Sequence, residues 1–572
     1  MLNIKEDTPM NADELVKLYP SANTLVENRA ASRIQAKDAT LYGFSEAAQA
    51  CSQNFMGWAD LASNPPYPYE EVQKLADELV AEGTKTVVLV GQGGSTQAPM
   101  TLSKYNKYDG NRVNFRTMDS DSPIRLREMF AAIDPKTTLF ITASKSGGTI
   151  EPRLILSAIR DELSKTMPEE EIVKHLVAIT DPGSNVEKQA KAEGWRAILP
   201  GEPTVGGRFS ALSVFGLLPA ALIGLDLSKW MERALAAENA CSQDSLENPA
   251  LQLGAFLYDG YAAGRDKFCF ITPKRGRVLG LWIEQLVAES VGKEGNGILP
   301  NIEPDTLMLA QDKKDRSVVV YQTRTALADE QRNFDDGLAC INPAIPRMDY
   351  RLDSAYDLAE HFIMWEYATA MCGYLMKVCP FDQPDVASAK AVVLDILSQG
   401  MPEPDYKQED LLVVEGQVEV RLSPEFKQYM DAKEALRALL ASVHEGDFFA
   451  VNAFLPFTGE GRREALESIR HQVACAKGCV SSLEIGPRYL HSTGQLQKGG
   501  SNTGVFLILS AEEPNDVPLR NEADSLGALA KAQAVGDFVT LTNRGRRCVH
   551  LHLPNNSAVT LRALAAEIAR AL

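Results

Sequence analysis

Residues 205–213 combine an apolar side chain, paired glycines, an arginine and hydroxyls in the order Val-Gly-Gly-Arg-Phe-Ser-Ala-Leu-Ser. Paired glycines let backbone N–H groups approach a ligand closely, and the guanidinium of Arg208 supplies a fixed positive charge. The apolar run over residues 214–223 predicts a helix that anchors this loop. We therefore expect Gly207 and Arg208 to contact a phosphorylated or enediolate-forming substrate. A glycine turn with a surface arginine is the alternative.

A second group of hydroxyls follows a predicted strand, in Thr-Ala-Ser-Lys-Ser-Gly-Gly-Thr-Ile-Glu at residues 142–151. Hydroxyls and backbone amides at a helix N-terminus bind phosphate, because free N–H groups and the helix dipole favour an anion there. The pattern predicts a phosphate cradle, and the alternative is an N-capping turn with Thr149 or Ser146 as the cap. The residues expected to hold the anion are Ser144, Lys145, Ser146 and Thr149.

A glycine-rich strand end, Gly-Gln-Gly-Gly-Ser-Thr, occupies residues 91–96. In open α/β sheets, ligands bind at the carboxyl ends of strands beside helix N-termini, so Gly94 and Ser95 are expected substrate contacts. The spacing lacks the third glycine of the dinucleotide fingerprint. We therefore expect no nicotinamide cofactor.

The fourth motif, residues 279–297, predicts an apolar helix that ends in a glycine-rich loop. Glu289 falls in the last turn of this helix among apolar neighbours, where loss of hydration suits a carboxylate that accepts a proton. A glutamate in this position is a candidate general base for proton transfer at carbon. The alternative is an exposed ion pair between Glu289 and Lys293, four residues apart.

These motifs need elements to position them, and the sequence predicts strands and helices in alternation. Alternation of this kind predicts an α/β fold in which helices cover a parallel sheet. The predicted strands of the first cycle are residues 86–90, 113–118, 138–143, 175–180 and 196–200, with helices over 69–82, 152–165 and 186–193.

A second strand-and-helix cycle begins at residue 267, and the chain therefore looks like two related α/β units. The predicted boundaries are an N-terminal helical segment over 1–65, a first domain over 66–235 and a second domain over 236–572. Residues 399–447 are interpreted as an insertion in the second unit, with a short strand at 411–415 and a helix at 424–441. The other strands predicted for this unit are 267–272, 317–323, 448–454, 480–485, 505–509 and 549–553.

Composition excludes several classes of partner. The chain has 572 residues and a net charge of −18, which opposes binding to nucleic acid or to an anionic membrane surface. Its nine cysteines lack metal-ligand spacing, so we expect reduced thiols and no metal site. The N-terminus has no apolar signal region, and no apolar run reaches membrane-spanning length, so a cytoplasmic location is expected.

The motifs resemble those of the glucose-6-phosphate isomerases, which are built from two sugar-isomerase (SIS) domains. Residues 85–390 contain, in that family's order, the Gly-Gly-Ser strand end, Ser-Lys-Ser-Gly-x-Thr-x-Glu, Val-Gly-Gly-Arg-Phe-Ser, Glu-Ser-x-Gly-Lys and Pro-Phe-Asp-Gln-Pro. Residues 486–504 look like the isomerase half of bifunctional transaldolase/glucose-6-phosphate isomerase proteins. The resemblance implies two flavodoxin-like, α-β-α sandwich domains and a glycolytic and gluconeogenic isomerase without cofactor.

The resemblance also implies roles for individual residues. The hydroxyl-rich cradle would hold the substrate phosphate, Arg208 would stabilise the enediolate, and Glu289 would move the proton between C2 and C1. Lys390 matches the family's ring-opening lysine, but no histidine lies between Glu289 and His361, where the ring-opening histidine is expected. We therefore expect His491 to supply it from the C-terminal region, with Gln495 as a further substrate contact.

Three positions depart from the family pattern. Gly148 replaces a usual threonine, Pro203 stands where an acidic or amide residue is expected, and Pro-Asp-Val-Ala at residues 384–387 replaces a glycine- and glutamate-containing sequence. Two alternatives therefore stay open: an isomerase of another hexose with an anion at C6, and a regulator that binds sugar phosphates without catalysis. A homodimer is also open, because family members commonly complete the site in this way.

Two histidines, His550 and His552, alternate along a predicted strand beside Arg546 and Arg547. We expect this group to form an exposed face rather than a metal site. The helix around Trp365 is expected to pack in the core.

Overall fold

The computed structural model describes residues 16–302, 304, 306–324, 327–412, 414–459, 461–518 and 525–572. Its first sheet has five parallel strands in the order β2-β1-β3-β4-β5. These strands are β1 (Thr86–Gly91), β2 (Asn114–Met118), β3 (Thr138–Ala143), β4 (Leu176–Thr180) and β5 (Ala197–Pro200). The five strands predicted for the first cycle are confirmed to within one residue at each end.

Helices precede the first sheet and connect its strands. They are α1 (Ser21–Glu27), α2 (Ala30–Gln35), α3 (Glu46–Phe55), α4 (Tyr69–Ala81), α5 (Gly94–Asn106), α6 (Pro123–Ala131), α7 (Ile150–Leu163), α8 (Glu169–Ile172), α9 (Asn185–Glu193) and α10 (Val214–Leu222). Because β1 and β3 each lead directly into α5 and α7, two helix N-termini open at the same edge of the sheet.

The second sheet has four parallel strands in the order β7-β6-β8-β9. Its strands are β6 (Lys267–Ile271), β7 (Leu299–Ile302), β8 (Arg316–Thr323) and β9 (Arg347–Leu352). The helices of this part are α11 (Leu227–Cys241), α12 (Pro249–Ala262), α13 (Arg277–Val291), α14 (Ala328–Ala339), α15 (Asp357–Met376) and α16 (Pro384–Gln399). Trp365 on α15 is fully buried, as predicted.

The third sheet has six strands in the order β10-β11-β15-β14-β12-β13, and the four strands β15, β14, β12 and β13 are parallel. Its strands are β10 (Tyr406–Gln408), β11 (Val418–Leu422), β12 (Phe448–Phe454), β13 (Val480–Ile485), β14 (Gly504–Ala511) and β15 (Arg547–Leu553). Its helices are α17 (Ala432–Ala441), α18 (Arg462–Lys477), α19 (Gly494–Gly499), α20 (Leu526–Asn543) and α21 (Ala558–Ala571).

The expectation of one continuous second unit is wrong in its sheet structure. The strands of the predicted second unit lie in two separate sheets, the second sheet with β6 to β9 and the third sheet with β10 to β15. Residues 399–447 are not an insertion, since β10 and β11 form the antiparallel edge of the third sheet. The strand predicted at 411–415 is wrong, because residues 411, 412, 414 and 415 form a connection between β10 and β11. Position 413 is not among the described residues. The helix predicted from 424 begins only at Ala432.

The third sheet is fixed to the first through a shared core. Leu526 and Leu529 of α20 belong to the same buried cluster as Val88 and Val90 of β1. This packing matters for function because it places the segment between β13 and α19 against the open edge of the first sheet. Within the described ranges, no helix is long and apolar enough to cross a membrane.

Candidate active site

A cavity of about 400 Å³ lies where the first sheet, α13 and the segment after β13 meet. It brings together residues from four of the predicted motifs. Of the predicted site residues, it is lined by Gly94, Ser95, Ser144, Lys145, Ser146, Thr149, Gly207, Arg208, Glu289 and His491. Most of the polar and charged residues that line this cavity therefore belong to the local sequence motifs.

Two glycine loops form one wall because they touch each other. A Cβ atom at Gly94 would lie 2.1 Å from the carbonyl of Gly207, so no larger residue fits without moving the backbone. Gly93 has a φ of +54°, in the left-handed region that favours glycine. Strand register places Gly91 opposite Ala143, which brings this wall beside the predicted cradle.

The cradle has hydroxyl groups that are not used inside the protein. The Oγ atom of Ser144 is buried without a hydrogen-bond partner among the described residues. Thr149 occupies the N-cap position of α7, but its side chain makes no capping hydrogen bond. Ser146 Oγ accepts from the N–H of Gly148 at 3.2 Å, which is a local turn contact. Thr149 therefore has the N-cap position that the capping alternative gives it, but its hydroxyl makes no capping hydrogen bond and stays available to a ligand.

Lys145 differs from the other cradle residues because its charge is already neutralised. Its Nζ atom lies 2.5 Å from Asp181 Oδ2 and also donates to the carbonyl oxygens of Glu202 and Pro203. Burial raises the pKa of Asp181 although the Lys145 ammonium opposes this shift. Lys145 therefore shapes the cradle wall in the ligand-free geometry, rather than pointing an unpaired charge at a phosphate.

Arg208 is buried, with 3% exposure, and all three nitrogen atoms of its guanidinium donate hydrogen bonds. Nε donates to Ser290 Oγ at 2.7 Å, and Nη1 donates to Gln383 Oε1 at 3.0 Å. Nη2 donates to the carbonyl oxygens of Pro380 and Asp382 at 2.6 and 3.0 Å. The interpretation of Arg208 as a surface residue is wrong, because these contacts fix a buried cation in the cavity wall.

Glu289 faces this arginine from the last turn of α13. Its carboxylate is 6% exposed, its Oε1 lies 3.6 Å from Arg208 Nη1, and its Oε2 accepts from Gln285 Nε2 at 3.0 Å. Lys293 is not its partner, because the lysine ammonium binds Asp382 Oδ1 at 2.6 Å. The alternative of an exposed Glu289–Lys293 ion pair is therefore wrong, and the carboxylate sits next to a cation inside a cavity.

His491 reaches the same cavity from the third sheet. Its Nε2 lies 2.9 Å from Glu151 Oε1, and Gln533 Nε2 donates to the same oxygen at 2.9 Å. Burial raises the pKa of Glu151, but the interactions with His491 outweigh burial, and the pKa is lowered overall. The imidazole is thus oriented by an ionised carboxylate, the usual arrangement for a histidine that exchanges protons.

A buried polar network holds the segment that carries His491. Asp537 on α20 accepts from Tyr489 Oη at 2.6 Å and pairs with Lys498 Nζ at 2.5 Å. Tyr489 and Lys498 flank His491 in sequence, so both ends of its segment are tied to one carboxylate. Gln285 Nε2 also donates to the carbonyl oxygen of His491 at 2.8 Å, which connects the segment to α13.

Two predicted site residues do not line the cavity. Gln495 is fully buried, and its amide contacts the backbone of Gly292 and both the backbone N–H and the carboxylate of Asp385. The prediction that Gln495 contacts substrate is therefore not supported by its position. Lys390 is exposed on α16 and affects the site through its charge, which contributes to the lowered pKa of Glu151.

Three polar residues of the site were not predicted from the sequence. Gln285 had a signal, because it lies one helical turn before Glu289 on the same face of α13. Glu151 ends the cradle motif, and its place in that motif was a usable clue. Gln533 had no local signal, since only the packing of α20 against the first sheet brings it to Glu151.

One group of potential metal ligands lies beside the site. Among the described residues, Cys51, Cys379 and Asp382 place ligand atoms within 4.8 Å of one another. The Asp382 carboxylate already accepts from the Lys293 ammonium at 2.6 Å, so a lysine occupies the place that a cation would take. A hydrogen bond from Cys51 lowers the pKa of the Cys379 thiol to about 7.

The geometry can be compared with known proteins. The family model for phosphoglucose isomerase matches residues 78–297, which contain the cradle, Arg208 and Glu289. The glucose-6-phosphate isomerase of Mycoplasmopsis pulmonis is 29% identical over 403 residues, which are 60% of this chain and 90% of that protein. Residues 78–297 of the chain are therefore similar to the phosphoglucose isomerase family. The glucose-6-phosphate isomerase of Enterococcus faecalis, another relative, is 28% identical over 397 residues, 60% of this chain and 88% of that protein.

Two solved structures share the fold of this chain. A hypothetical protein of Thermus thermophilus has a TM-score of 0.56 and 24% identity, covering 70% of this chain and all of that one. A glucose-6-phosphate isomerase from Chlamydia trachomatis has a TM-score of 0.53 and 17% identity, covering 68% of this chain and 86% of that one. The mixed α/β fold with parallel sheets and flanking helices, predicted from the sequence, is confirmed.

Proposed function

We propose that the chain interconverts glucose 6-phosphate and fructose 6-phosphate, as an aldose–ketose isomerase of glycolysis and gluconeogenesis. The observation that carries this proposal is the pair formed by Glu289 and Arg208. A buried carboxylate and a buried guanidinium, 3.6 Å apart, face the same cavity as a set of unpaired hydroxyls. A carbon acid needs a base and a preorganised cation together, because its proton leaves only if the developing oxyanion is stabilised.

The cradle accounts for the phosphate of the substrate. Ser144, Ser146 and Thr149 present hydroxyls at the N-terminus of α7, where backbone N–H groups and the helix dipole also favour an anion. Ser95 lies across the cavity in the first turn of α5, a second helix N-terminus directed at the same space. We assign the phosphate to this end of the cavity and the reacting carbons to the end at Glu289.

Proton transfer then uses the other wall. Glu289 removes the proton from C2 of the open-chain aldose, electrons move to the carbonyl oxygen, and a cis-enediolate forms. Arg208 stabilises the negative oxygen, the hydroxyl proton on O2 moves to O1, and Glu289 returns its proton to C1, so that C2 becomes the carbonyl carbon of the ketose. Because Arg208 is held by four oxygen acceptors before substrate arrives, little reorganisation is needed as the charge develops.

Ring opening is the step we assign to His491. Opening a hexose ring moves a proton from the anomeric hydroxyl to the ring oxygen, and a histidine held by a carboxylate is suited to this exchange. The hydrogen bond to Glu151 fixes the imidazole, while Lys390 contributes only its charge, from outside the cavity. Since His491 comes from the same chain as Glu289, one chain supplies both steps, although a homodimer remains compatible with this arrangement.

The test is turnover of fructose 6-phosphate by the purified protein, coupled to glucose-6-phosphate dehydrogenase and followed by NADPH absorbance. Glu289→Gln keeps the size of the side chain and the hydrogen-bond acceptor for Gln285 but removes the base. We expect its kcat to fall by about 10²–10⁴-fold, the usual contribution of a general base. Glu284→Gln, on the same helix, is the matched control and should leave kcat unchanged.

Each other outcome has a distinct meaning. A fully active Glu289→Gln variant would remove this residue from its assigned role. A folded wild-type protein that binds the sugar phosphate without turnover would support a regulator instead. Failure to bind glucose 6-phosphate or fructose 6-phosphate would point to another hexose with an anion at C6.

A further inference from the structure

A second cavity, of about 630 Å³, lies away from the active site against the edge strand of the first sheet. Its walls are the end of α5, strand β2 and the start of α6, and it shares no lining residue with the active-site cavity. Helix α5 starts in the active site, where Ser95 lines the first cavity, and Met100 lines the second cavity about 8 Å further along the helix axis. We refer to the second cavity as the β2 groove.

The β2 groove is strongly basic in a protein with a net charge of −18. Five cationic side chains line it against a single carboxylate, Glu128. The five are Lys104, Lys107, Arg112, Arg116 and Arg125. A concave surface of one charge raises the local concentration of ligands of opposite charge, so this concentration of cations favours an anion.

Two of the five cations have carboxylate partners. Arg112 Nη1 lies 2.6 Å from Asp77 Oδ1, and Arg125 Nη1 lies 2.9 Å from Glu128 Oε2. Glu128 also accepts from Thr458 Oγ1 at 2.7 Å, which ties this wall to the third sheet. Within the part of the chain that the structure describes, Lys104, Lys107 and Arg116 have no carboxylate in ion-pair distance. Three positive charges of the groove are therefore not neutralised by the protein.

Of these three cations, Lys104 and Lys107 are exposed and Arg116 is half-buried. Loss of hydration lowers the pKa of Lys104; Asp119 opposes this shift, and Arg488 and Arg125 add to it. The Nε atom of Arg116 is buried and has no hydrogen-bond partner among the described residues. A buried guanidinium N–H without an acceptor is costly, and an anionic oxygen in the groove would supply the acceptor.

We propose that the β2 groove is a second anion site, which binds a small molecule carrying two or more phosphate groups. Three unpaired cations exceed the charge of one phosphate monoester and match that of a diphosphate or triphosphate. The groove volume lies in the usual range for small-molecule sites. Its floor includes the buried side chains of Met100, Met118 and Met129, which suits an apolar or aromatic part such as the base of a nucleotide.

The test is calorimetric titration of the full-length protein with inorganic pyrophosphate and, separately, with ATP in the absence of metal. Fructose 6-phosphate is present at saturation to occupy the cradle. Lys104→Gln/Lys107→Gln/Arg116→Gln removes the unpaired charges. We expect the triple variant to bind pyrophosphate about tenfold more weakly than the wild type, or weaker still. We also expect the wild type to bind ATP more tightly than pyrophosphate, because the methionine floor contacts the base.

The matched control is Lys165→Gln/Lys174→Gln/Lys229→Gln, which changes the net charge equally at three exposed lysines elsewhere. Its affinity for pyrophosphate should stay within about twofold of the wild type. Equal affinity of the groove variant and the wild type, or no binding of pyrophosphate to the wild type, would overturn the proposal. If Arg116→Gln lowers the melting temperature, the double variant Lys104→Gln/Lys107→Gln replaces the triple variant in the titration. The proposal does not depend on turnover, which is measured separately by the NADPH assay.

Discussion

The first and third sheets both end parallel strands in serine, yet only one of these ends is open. After β3, Ser144 Oγ is buried without a partner among the described residues, beside the glycine loops that line the cavity. In the second-to-last position of β14, Ser510 Oγ contacts His550 Nε2 and His552 Nδ1, both at 2.8 Å. Similar topology therefore gives a ligand site in one sheet and a filled polar cluster in the other.

The difference follows from what occupies the space above the strand ends. Glycines at 93 and 94 remove side chains from the first edge, so polar groups there stay unpaired until a ligand binds. In the third sheet, imidazoles fill the corresponding space, and His552 Nε2 also lies 2.8 Å from Glu512 Oε1. A parallel strand end becomes a site only where the sequence leaves both room and unpaired polar atoms.

The largest expected effect comes from removing the positive charge of Arg208, in the cavity at the strand ends of the first sheet. Arg208→Gln should lower kcat/KM by about 10³-fold, because the enediolate loses its preorganised charge. Arg208→Lys keeps the charge without the planar fork and should recover only part of the activity. Circular dichroism of both variants controls for folding. A variant Arg208→Gln that is folded and more than half active would contradict the assignment.

His491 tests whether the third sheet contributes chemistry to the first. His491→Ala should slow turnover of the cyclic sugar by about 10–100-fold, because ring opening loses its proton carrier. Turnover of an open-chain analogue should change much less, since Glu289 and Arg208 remain. Comparing the two substrates in the NADPH-coupled assay, or by NMR for the analogue, measures this split. An equal loss on both substrates would exclude a role in ring opening.

The two serines provide a matched pair of substitutions. Ser144→Ala should raise KM for fructose 6-phosphate by about tenfold, the effect of losing one hydrogen bond to a charged group, with little change in stability. Ser510→Ala should lower the free energy of unfolding by about 1–3 kcal/mol, because two buried histidines lose a partner, with little change in KM. Urea unfolding and steady-state kinetics on both variants check this. The reverse pattern would show that the comparison is mistaken.

The smallest predicted effect is a pH dependence of the free energy of unfolding that arises from the buried histidines of the third sheet. Burial holds the pKa of His550 well below its usual 6.5, so the folded protein does not take up this proton as the pH falls. The unfolded chain does take it up, and stability should therefore fall below about pH 6.5, by about 1 kcal/mol per pH unit. Glu151, at the open edge, has a lowered pKa, so its stabilising contribution is lost only below pH 4.5.

The measurement is the urea midpoint between pH 7.5 and 5.5 for the wild type and His550→Asn. We expect the variant to start with lower stability at pH 7.5 but to lose less of it on acidification. A wild-type midpoint that does not change over this range would contradict the neutral, buried state of His550. The expectation of an exposed face at His550 and His552 is already corrected by their 0% and 2% exposure.

Local sequence predicted the elements well and their assembly less well. Strands such as Thr138–Ala143 and Phe448–Phe454 match their predicted bounds, because short, mostly apolar runs are a local signal of a buried strand. The division into two sheets after β9 was missed, since strand order depends on contacts between distant segments. The polar environment of Gln495 was missed for the same reason, because its partners Gly292 and Asp385 are far away in sequence.

The sequence by itself determined which groups are available for chemistry: the hydroxyls of the predicted cradle, the carboxylate of Glu289, the guanidinium of Arg208 and the imidazole of His491. These were readable because glycine loops, helix starts and hydroxyl runs carry their function within about ten residues. Only the tertiary structure decided which partner each group has. Arg208 faces Glu289 while Lys293 turns to Asp382, and His491 meets Glu151. Such pairings depend on packing between sheets, which local sequence patterns do not encode.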